Sequence, residues 1–390
     1  MPQQRPRVAL VASSFDPYVG GVETHVRSVA TALRALGHDV TVWTVDRGEA
    51  LGVRTVDGIT VRYLPTPLPA ATPGAVLRFA RSGRAAYREW VAAFREDRPQ
   101  LLHIHCFGPN GLYAAALARR THTPLVVTSH GETTGDDHDV FAHSWQLRRG
   151  LRRALRQATG VTGVSASVLH DLRHRFGLVG GTVVPNGVDA DVVAEECWPT
   201  PPGPPARTLL AVGRIERVKG FDLLIQALPK VREAAGDVEV RIGGTGSQET
   251  PLRTLVERLD LAGAVTFLGP LTPGQVAAQM TAADVVVVPS RTEAFGIVVL
   301  EAWRRGTPVV ASDRAGLGEL VRDGVDGLLV DPEDIAALAG AIVRVLGDAA
   351  LAEALAGAGC TRVGSFTWEA VARDYADVYA AALSSVGRLT

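Results

Sequence analysis

Only two of the 40 lysine and arginine residues in this chain are lysines, and one of them, Lys219, lies in the run 213–220, Gly-Arg-Ile-Glu-Arg-Val-Lys-Gly. A chain that uses arginine almost everywhere else and keeps lysine here indicates a need for a compact ammonium charge, which a planar guanidinium cannot imitate. An apolar segment, 208–212, precedes the run and an amphipathic one, 222–228, follows it, which predicts a strand-to-helix connection. Such connections bind phosphates, because helix N–H groups and the helix dipole face them. Arg214 and Lys219 would then neutralise a diphosphate without a metal; the alternative is a solvated loop with scattered charges.

Two carboxylates eight residues apart form the second chemical signal. Glu293 lies in a loop directly after the apolar segment 285–289, and Glu301 lies about two turns into the helix predicted to follow. The pair can reach two parts of one elongated ligand, and carboxylates accept hydrogen bonds well from the vicinal hydroxyls of sugars and ribose. The alternative is that Glu293 caps the helix and Glu301 forms a surface ion pair.

Length and composition predict two domains in a reducing compartment. A chain of 390 residues exceeds one ordinary domain, and 46% hydrophobic residues are ample for two cores. A net charge of −1 disfavours binding to nucleic acid. Three well-separated cysteines, Cys106, Cys197 and Cys360, form neither a disulfide framework nor a zinc pattern. Because the sequence also has no apolar run of membrane-spanning length, we expect a cytoplasmic protein.

Short β-branched segments alternate with longer helical patterns along the chain, which is typical of parallel βαβ units. In the first half we predict strands at 7–13, 39–45, 60–64, 101–105, 125–129, 160–164 and 182–184. In the second half we predict them at 208–212, 239–242, 265–268, 285–289, 308–311 and 327–330. Each half is therefore expected to be its own α/β sandwich.

A proline-rich segment separates the two halves. Residues 198–207 contain five prolines in ten positions, which is too stiff for a helix or a central strand. We therefore place the domain boundary in this region, with a first domain at 1–190 and a second at 191–368. The chain ends in apolar residues at helical spacing, and Thr367 is a suitable N-cap for that helix.

Four motifs in a fixed order carry a resemblance to a known family. They are the pair Gly20-Gly21, Thr-Ser-His-Gly at 128–131, the Gly-Arg to Lys-Gly run at 213–220, and Glu-x7-Glu at 293–301. Together they resemble the retaining nucleotide-sugar glycosyltransferases of family four, from about residue 8 to the final helix. The resemblance implies the GT-B fold, an α/β fold with two Rossmann-like domains facing across a cleft. It also implies that the C-terminal helix, at about 369–390, crosses back to pack on the first domain.

The resemblance assigns roles to the residues of the second domain. Arg214 and Lys219 would clamp the diphosphate of the donor in place of a metal ion. Glu301 would bind the ribose hydroxyls and Glu293 a hydroxyl of the transferred sugar. Backbone N–H groups would contact sugar and phosphate around Phe295, Gly296 and Ile297. The glycine loop after residue 242, with Gly244, is similar to the donor-side loop of the family, although a glycine cluster alone is weak evidence.

In the first domain the resemblance places His130 beside the donor sugar. It would orient a sugar hydroxyl and help to stabilise an oxocarbenium-like transition state, so His130, Arg214, Lys219 and Glu293 form the expected catalytic set. The loop with Gly20 and Gly21 would bring a helix N-terminus towards the diphosphate or the acceptor. An ordinary tight turn is the alternative for this loop.

The expected acceptor-binding residues are His105, Glu132 and Asn186. His103 and His105 both end one predicted strand, where contact with the acceptor and core packing are equally compatible with the sequence. Asn186, in Pro-Asn-Gly-Val-Asp at 185–189, equally fits a turn that uses the left-handed conformations of asparagine and glycine.

No metal site is expected. The Asp-Ala-Asp at 189–191 follows a turn and is better explained as a helix cap, and the acidic loop 136–139 as a solvated loop that borders the acceptor pocket. One predicted helix carries Arg148, Arg149, Arg152, Arg153 and Arg156 and could rest on an anionic membrane, as in lipid-modifying relatives. Because no aromatic residues are interleaved on its opposite face, a solvated face is favoured, and membrane association stays possible.

The sequence therefore predicts a retaining, metal-independent glycosyltransferase that moves a sugar from a nucleoside diphosphate to an acceptor hydroxyl. UDP is slightly favoured over GDP. No cofactor is expected beyond the nucleotide-sugar substrate, and no nucleic-acid partner. The alternatives are a nucleotide-sugar epimerase or a phosphorylase on the same fold, or a two-lobed sugar-binding protein without catalysis.

Overall fold

The computed structural model describes residues 5–18, 20–68, 73–134, 140–189 and 207–386. The chain forms two compact units, which we call unit 1 (Met1–Asn186 with Trp368–Thr390) and unit 2 (Gly187–Thr367). The proline-rich segment 198–206 and the acidic loop 136–139 lie outside the described residues.

Unit 1 is built on an eight-stranded sheet in the order β3-β4-β2-β1-β5-β6-β7-β8 within the described residues. Its strands are β1 Arg7–Ala12, β2 Asp39–Val45, β3 Val53–Val56, β4 Ile59–Leu64, β5 Leu101–His105, β6 Leu125–Ser129, β7 Gly160–Gly163 and β8 Thr182–Val183. Every pairing is parallel except that between β3 and β4. The helices that connect these strands are α1 Gly21–Ala35, α2 Pro73–Asp97, α3 Pro109–Thr121, α4 Val140–His143, α5 Trp145–Gln157 and α6 Ala166–Phe176.

Strand β3 is the one strand of unit 1 that the sequence reasoning missed. It pairs with β4 through a two-residue turn, Asp57-Gly58, in which both residues have positive φ, 50° and 72°. An Asp-Gly pair between β-branched residues is the strongest short-range hairpin signal, so the information was present in the sequence.

Unit 2 has a six-stranded sheet in the order β11-β10-β9-β12-β13-β14 within the described residues, and all its pairings are parallel. Its strands are β9 Arg207–Val212, β10 Val238–Gly243, β11 Val265–Gly269, β12 Val285–Val288, β13 Val309–Ser312 and β14 Leu328–Val330. Its helices are α7 Phe221–Ala235, α8 Glu249–Arg258, α9 Pro273–Ala282, α10 Ile297–Arg304, α11 Ala315–Leu320, α12 Ile335–Gly347 and α13 Ala349–Val363. The last helix, α14 Trp368–Val386, returns to unit 1 and packs against α1.

The sheet of unit 1 is buried on both faces, as parallel sheets require. Along β1, Ala9 and Val11 belong to a core that also contains side chains of α2, α3 and α5. Val8 and Leu10 belong to the opposite core, which holds side chains of α1 and α14. The helices therefore form two layers, one on each face of the sheet.

The predicted strands agree with the observed ones to within one or two residues at each end, and the parallel α/β prediction is confirmed for both units. Among the described residues, no single helix is long and apolar enough to cross a membrane. The pair α12 and α13 reaches that length and composition only together, and it bends by 97° between them.

Candidate active site

The Gly-Arg to Lys-Gly run of unit 2 leads from β9 to α7 through a one-turn 3₁₀ helix, Arg217–Lys219. Gly220 ends this turn with a φ of +67°, and a Cβ atom there would lie only 2.0 Å from the carbonyl oxygen of Pro289. Pro289 directly follows β12, so the loop after β9 and the loop after β12 touch through their backbones. Glycine is needed at this position both for the conformation and for the space.

Lys219 and Glu293 form an ion pair where these two loops meet. The Lys219 Nζ atom lies 2.5 Å from Oε2 of Glu293, and both side chains are largely buried, at 20% and 15% exposed. The backbone supports this arrangement, because the N–H of Arg291 donates to the carbonyl oxygen of Val218 at 2.8 Å. Two motifs that lie about seventy residues apart in the sequence therefore share one point in unit 2.

A second ion pair joins the loop after β12 to the start of α7. The guanidinium of Arg291 donates to both carboxylate oxygens of Asp222 in the first turn of α7, at 2.7 Å each. It also donates to the carbonyl oxygen of Arg217 at 3.0 Å, and Asp222 raises the pKa of Arg291. Sequence reasoning did not single out this pair. It joins the loop after β12 to the first turn of α7 with a bidentate geometry that lysine cannot provide.

Beyond Glu293 the chain turns into α10 at Gly296, which has a φ of +100° and offers no side-chain cap to the helix. Phe295 packs its ring against Phe366, with centroids 6.1 Å apart, and is 6% exposed, so its side chain belongs to the interior of unit 2. Ile297 opens α10. The uncapped N-terminus of α10 thus lies immediately beside the Lys219–Glu293 pair in the sequence, and helix N-termini favour anionic ligands.

Glu301 lies on α10, one residue past its middle. Burial raises the pKa of Glu301 to about 7, with the Asp189 carboxylate as a second cause that raises it and Arg305 as one that lowers it. A ligand that donates hydrogen bonds to the carboxylate of Glu301 would stabilise its ionised form and lower this raised pKa.

Gly244 lies on the loop after β10, with a φ of +132°, and a Cβ atom there would lie 1.9 Å from the carbonyl oxygen of Gly213. The loop that carries Gly244 therefore packs directly on the loop that carries Arg214. Arg214 itself is exposed, and none of the ion pairs among the described residues includes it. The structure thus brings Lys219 and Glu293 into contact and leaves the Arg214 side chain on the surface of the same loop.

In unit 1, His130 directly follows β6 and precedes Gly131, which has a φ of +89°. The carboxylate of Glu132 stabilises the turn after β6. It accepts hydrogen bonds at 2.8 Å from the N–H of Phe107, the hydroxyl of Ser129 and the N–H of His130. Both carboxylate oxygens are used within the protein. The arrangement assigns Glu132 to positioning His130, whereas its predicted contact with an acceptor has no support in this geometry.

His130 stands at the edge of a buried group of imidazoles, which we call the histidine cluster: His25, His103, His105 and His130. Nδ1 of His105 lies 3.2 Å from Nε2 of His130, and the His105 ring has no exposed surface. The two alternatives for His105 were acceptor contact and core packing, and a fully buried ring fits core packing. Nε2 of His105 is buried without a hydrogen-bond partner among the described residues.

The rest of the histidine cluster links the sheet to α14. Nδ1 of His103 lies 2.7 Å from the Tyr379 hydroxyl, and its Nε2 lies 2.6 Å from the Thr128 hydroxyl. Nδ1 of His25 lies 2.7 Å from Oδ1 of Asn186, and its Nε2 lies 3.0 Å from the Tyr375 hydroxyl. Asn186 is also buried, which fits a role in the interior of unit 1.

Burial lowers the pKa of all four imidazoles, and that of His25 falls to about 4. They are therefore neutral near pH 7. His25, His105 and His130 offer nitrogen atoms within 4.8 Å of one another, a spacing that a metal could use. Both nitrogens of His25 are already hydrogen-bonded, however, so a metal would have to displace Asn186 or Tyr375.

Gly20 and Gly21 lie at the start of α1, in the loop where the sequence places them. Gly20 is fully extended and precedes Gly21, the first residue of α1, and the helix has no side-chain cap. A Cβ atom on Gly20 would approach Oε2 of Glu23 to 2.6 Å, which a flexible side chain can relieve. The two glycines therefore leave the N-terminus of α1 open to a ligand.

Comparisons with known proteins identify the family of the chain. A family described as "Glycosyl transferases group 1" matches residues 198–360, and one described as "Glycosyltransferase Family 4" matches residues 19–192. The chain is 32% identical to glycogen synthase of Mycobacterium tuberculosis, over 96% of this chain and 95% of that protein. It is also 32% identical to the phosphatidyl-myo-inositol mannosyltransferase of Mycolicibacterium smegmatis, over 96% of this chain and 93% of that protein.

Solved structures show the same architecture. Sucrose-phosphate synthase from Thermosynechococcus elongatus superposes with a TM-score of 0.81 at 25% identity, over 98% of this chain and all of that one. The Anabaena protein Alr3699/HepE, solved with UDP-glucose, superposes with a TM-score of 0.76 at 21% identity, over 96% of this chain. The two sheets of mostly parallel strands are those of the GT-B fold, and the chain belongs to the group 1, family 4 glycosyltransferases.

Proposed function

We propose that this glycosyltransferase moves a sugar from a nucleoside diphosphate sugar to an acceptor hydroxyl, with retention of anomeric configuration and without a metal ion. The observation that carries the proposal is the contact between Lys219 and Glu293. It unites the cationic motif and the acidic motif at the ends of neighbouring strands, where α/β sheets bind ligands. A cation and a carboxylate side by side can take the phosphate and the hydroxyl ends of one nucleotide sugar.

The donor would bind along the loops of unit 2. Lys219 and Arg214 meet the diphosphate, together with the open N-terminus of α10. Glu293 accepts a hydrogen bond from a hydroxyl of the transferred sugar, and Glu301 accepts from the ribose. In the unliganded protein Glu293 neutralises Lys219, so donor binding replaces one anionic partner of the ammonium by another.

The reaction would proceed on one face of the sugar. The bond from the anomeric carbon to the phosphate oxygen breaks while a bond to the acceptor oxygen forms, and the acceptor proton passes to the departing phosphate. Lys219 and Arg214 stabilise the growing negative charge on that phosphate. This stabilisation is effective because both cations are already in place before the charge develops. No protein base is then needed, and His130, held neutral by burial, orients a sugar hydroxyl.

The nucleotide is proposed to be UDP rather than GDP, which the UDP-glucose complex of the Anabaena neighbour supports only as a fold-level analogy. An epimerase or a phosphorylase would need the same donor loops, and a sugar-binding protein would not need the nucleotide. We also retain a cytoplasmic location and metal independence as part of this proposal.

The two lysines of the chain offer a matched test. Lys219→Ala removes the proposed phosphate cation, whereas Lys230→Ala removes an exposed lysine on α7 of the same unit. With UDP-, GDP- and ADP-sugars and a panel of acceptors in excess EDTA, the Lys219 variant should lose roughly ten- to a hundredfold in kcat/KM. The Lys230 variant should match the wild type.

Three results would contradict the proposal. They are full turnover by the Lys219 variant, activity that disappears with EDTA and returns with a divalent cation, and an inverted anomeric configuration in the product by NMR. Incubation with donor alone separates the alternatives, because an epimerase isomerises the nucleotide sugar without an acceptor.

A further inference from the structure

Three rings of the histidine cluster are grouped closely enough to hold one metal ion. His25 lies on α1, His105 ends β5 and His130 follows β6, yet each offers a nitrogen atom within 4.8 Å of those of the other two. The fourth ring, that of His103, is committed elsewhere, because both of its nitrogens are hydrogen-bonded to hydroxyl groups. Imidazole nitrogen is a preferred ligand of Zn²⁺ and related ions.

The state of His105 points to a ligand at this place. Its ring has no exposed surface, and its Nε2 atom has no hydrogen-bond partner among the described residues. Its Nδ1 atom lies 3.2 Å from Nε2 of His130, and a single proton can occupy that contact. We assign this proton to Nδ1 of His105, which leaves a lone pair rather than an unpaired N–H group on the buried Nε2. A metal ion would satisfy that lone pair, whose burial without a partner is otherwise costly.

His25 is oriented as metal-binding histidines are. Oδ1 of Asn186 can only accept, so Nδ1 of His25, 2.7 Å away, carries the hydrogen and donates it. The lone pair of His25 then lies on Nε2, where it accepts from the Tyr375 hydroxyl at 3.0 Å. Histidines that bind metals almost always donate their other N–H to an oxygen acceptor in this way, which fixes the ring and its tautomer.

One hydrogen bond of His25 must be exchanged for the ion to bind. It is the bond from Tyr375, since the bond to Asn186 involves the opposite nitrogen and is retained. The Tyr375 hydroxyl also lies 3.5 Å from Oγ1 of Thr128, so it has a second partner when it leaves His25. The exchange therefore leaves no hydroxyl group unpaired.

The ion also has a path of entry and a suitable number of ligands. His130 is half-buried, whereas His25 and His105 are fully buried, so solvent reaches the group from the side of His130. The three rings are neutral near pH 7, so binding requires no loss of a proton from an imidazolium. Three imidazoles and one water form a tetrahedral set that binds Zn²⁺.

We propose that His25, His105 and His130 bind one divalent transition-metal ion of the Zn²⁺ type inside unit 1. The ion takes no part in sugar transfer. Its effect on transfer rests on the proposed function, in which positive charge develops on the sugar beside His130, and a dication at the same place opposes that charge and inhibits. Binding of the ion does not depend on that function.

Binding is measured on the full chain, prepared without a histidine tag, by calorimetric titration with ZnCl₂ and by the visible absorption of bound Co²⁺, which is strong in tetrahedral sites. We expect one cluster site per chain, which Mg²⁺ does not fill because it prefers oxygen ligands. His25→Gln should abolish this site. The exposed pair His170 and His174, with rings 4.1 Å apart on α6, offers the control, and His170→Gln with His174→Gln should leave the cluster site intact.

Two further variants should change the affinity in opposite directions without removing a ligand. Tyr375→Phe removes the hydroxyl that competes for Nε2 of His25, and should tighten Zn²⁺ binding about two- to tenfold. Asn186→Ala removes the acceptor that orients His25, and should weaken binding about ten- to a hundredfold. Circular dichroism melting verifies that each variant is folded. Inhibition of transfer by Zn²⁺ should follow the same order, with Tyr375→Phe the most sensitive.

The proposal is overturned if the wild type binds no Zn²⁺, if binding disappears in the double variant of His170 and His174, or if His25→Gln binds as tightly as the wild type. Equal or weaker binding by folded Tyr375→Phe would also overturn it, because the hydroxyl would then not compete with an ion. Binding in the expected order without inhibition would support the site and contradict the role proposed for His130 in transfer.

Discussion

The bidentate pair between Arg291 and Asp222 provides the sharpest test of how unit 2 is organised. It joins the loop after β12 to the first turn of α7, and thereby sets the position of Lys219 relative to Glu293. Replacing Arg291 by Gln or Asp222 by Asn removes one charge while nearly preserving shape. We predict that each change lowers donor use although neither residue is assigned a contact with the donor.

The magnitude follows from geometry and exposure. If they were fully shielded from water, the two charged hydrogen bonds at 2.7 Å between Arg291 and Asp222 would each contribute about 1.5–3 kcal/mol to the free energy of unfolding. The side chains of Arg291 and Asp222 are 18% and 31% exposed, so solvent reduces the coupling between them to about 1–2 kcal/mol. If that coupling is used to hold Lys219 in place, kcat/KM for the donor falls by roughly five- to thirtyfold.

The assay is a double-mutant cycle on kcat/KM for the donor, with thermal melting of each variant. Because the two residues act as a unit, the double variant should lose about as much as either single one. An exposed pair on α8, Arg253 and Glu249, offers the control, since its side chains are 53% and 32% exposed and its neutralisation should change kcat/KM little.

Additive losses in the cycle would refute the reasoning, because they would mean that the pair is not coupled through the donor loops. A fall in melting temperature without any change in donor kinetics would also refute it, because the Arg291–Asp222 pair would then only stabilise the fold.

Three further predictions concern single positions. Gly220→Ala should lower the melting temperature and raise the donor KM because of the approach to Pro289, whereas Gly306→Ala, with the same φ of +67° but no atom within 4 Å, should show only the smaller conformational cost of about 1 kcal/mol. Since the pKa of Glu301 is raised to about 7, its carboxyl protonates as pH falls through 7; donor affinity should therefore rise from about pH 6 to 8 in the wild type and stay flat in Glu301→Gln. His105→Phe should lower kcat about tenfold by releasing His130, while Tyr379→Phe, which frees His103 instead, should lower the melting temperature and leave kcat unchanged; equal effects of both on kcat would contradict a positioning role for His105.

The strands, and the loops that carry Lys219 and Glu293, were predictable because the information that specifies them is local. Apolar runs bounded by glycine and proline define β9 and β12, and parallel strands bring the loops that follow them to one edge. From this alone Lys219 and Glu293 could be expected in one region. That they touch could not, since contact depends on the backbone approach of Gly220 to Pro289.

The histidine cluster could not be predicted from local sequence patterns. His25 reaches Asn186 and Tyr375, which lie 161 and 350 positions away in the sequence. No periodicity links such distant residues, and a lone histidine in a helix has no specific meaning. One signal was available, because His103 and His105 are two positions apart on one strand and must share a face. We did not use this signal to predict that the two rings pack together; the structure shows that they do, on the face covered by α1 and α14.

The contrast between Lys219 and Arg291 explains why this arginine-rich chain keeps a lysine at that point. Arg291 makes a bidentate pair with Asp222, whereas Lys219 holds Glu293 through one atom and, in the proposed mechanism, exchanges it for phosphate when the donor binds. Lys219→Arg should therefore retain the charge and yet lower kcat/KM by about tenfold, because a bidentate pair with Glu293 competes with the donor. Lys230→Arg should have no effect, and wild-type kinetics in Lys219→Arg would show that any positive charge suffices.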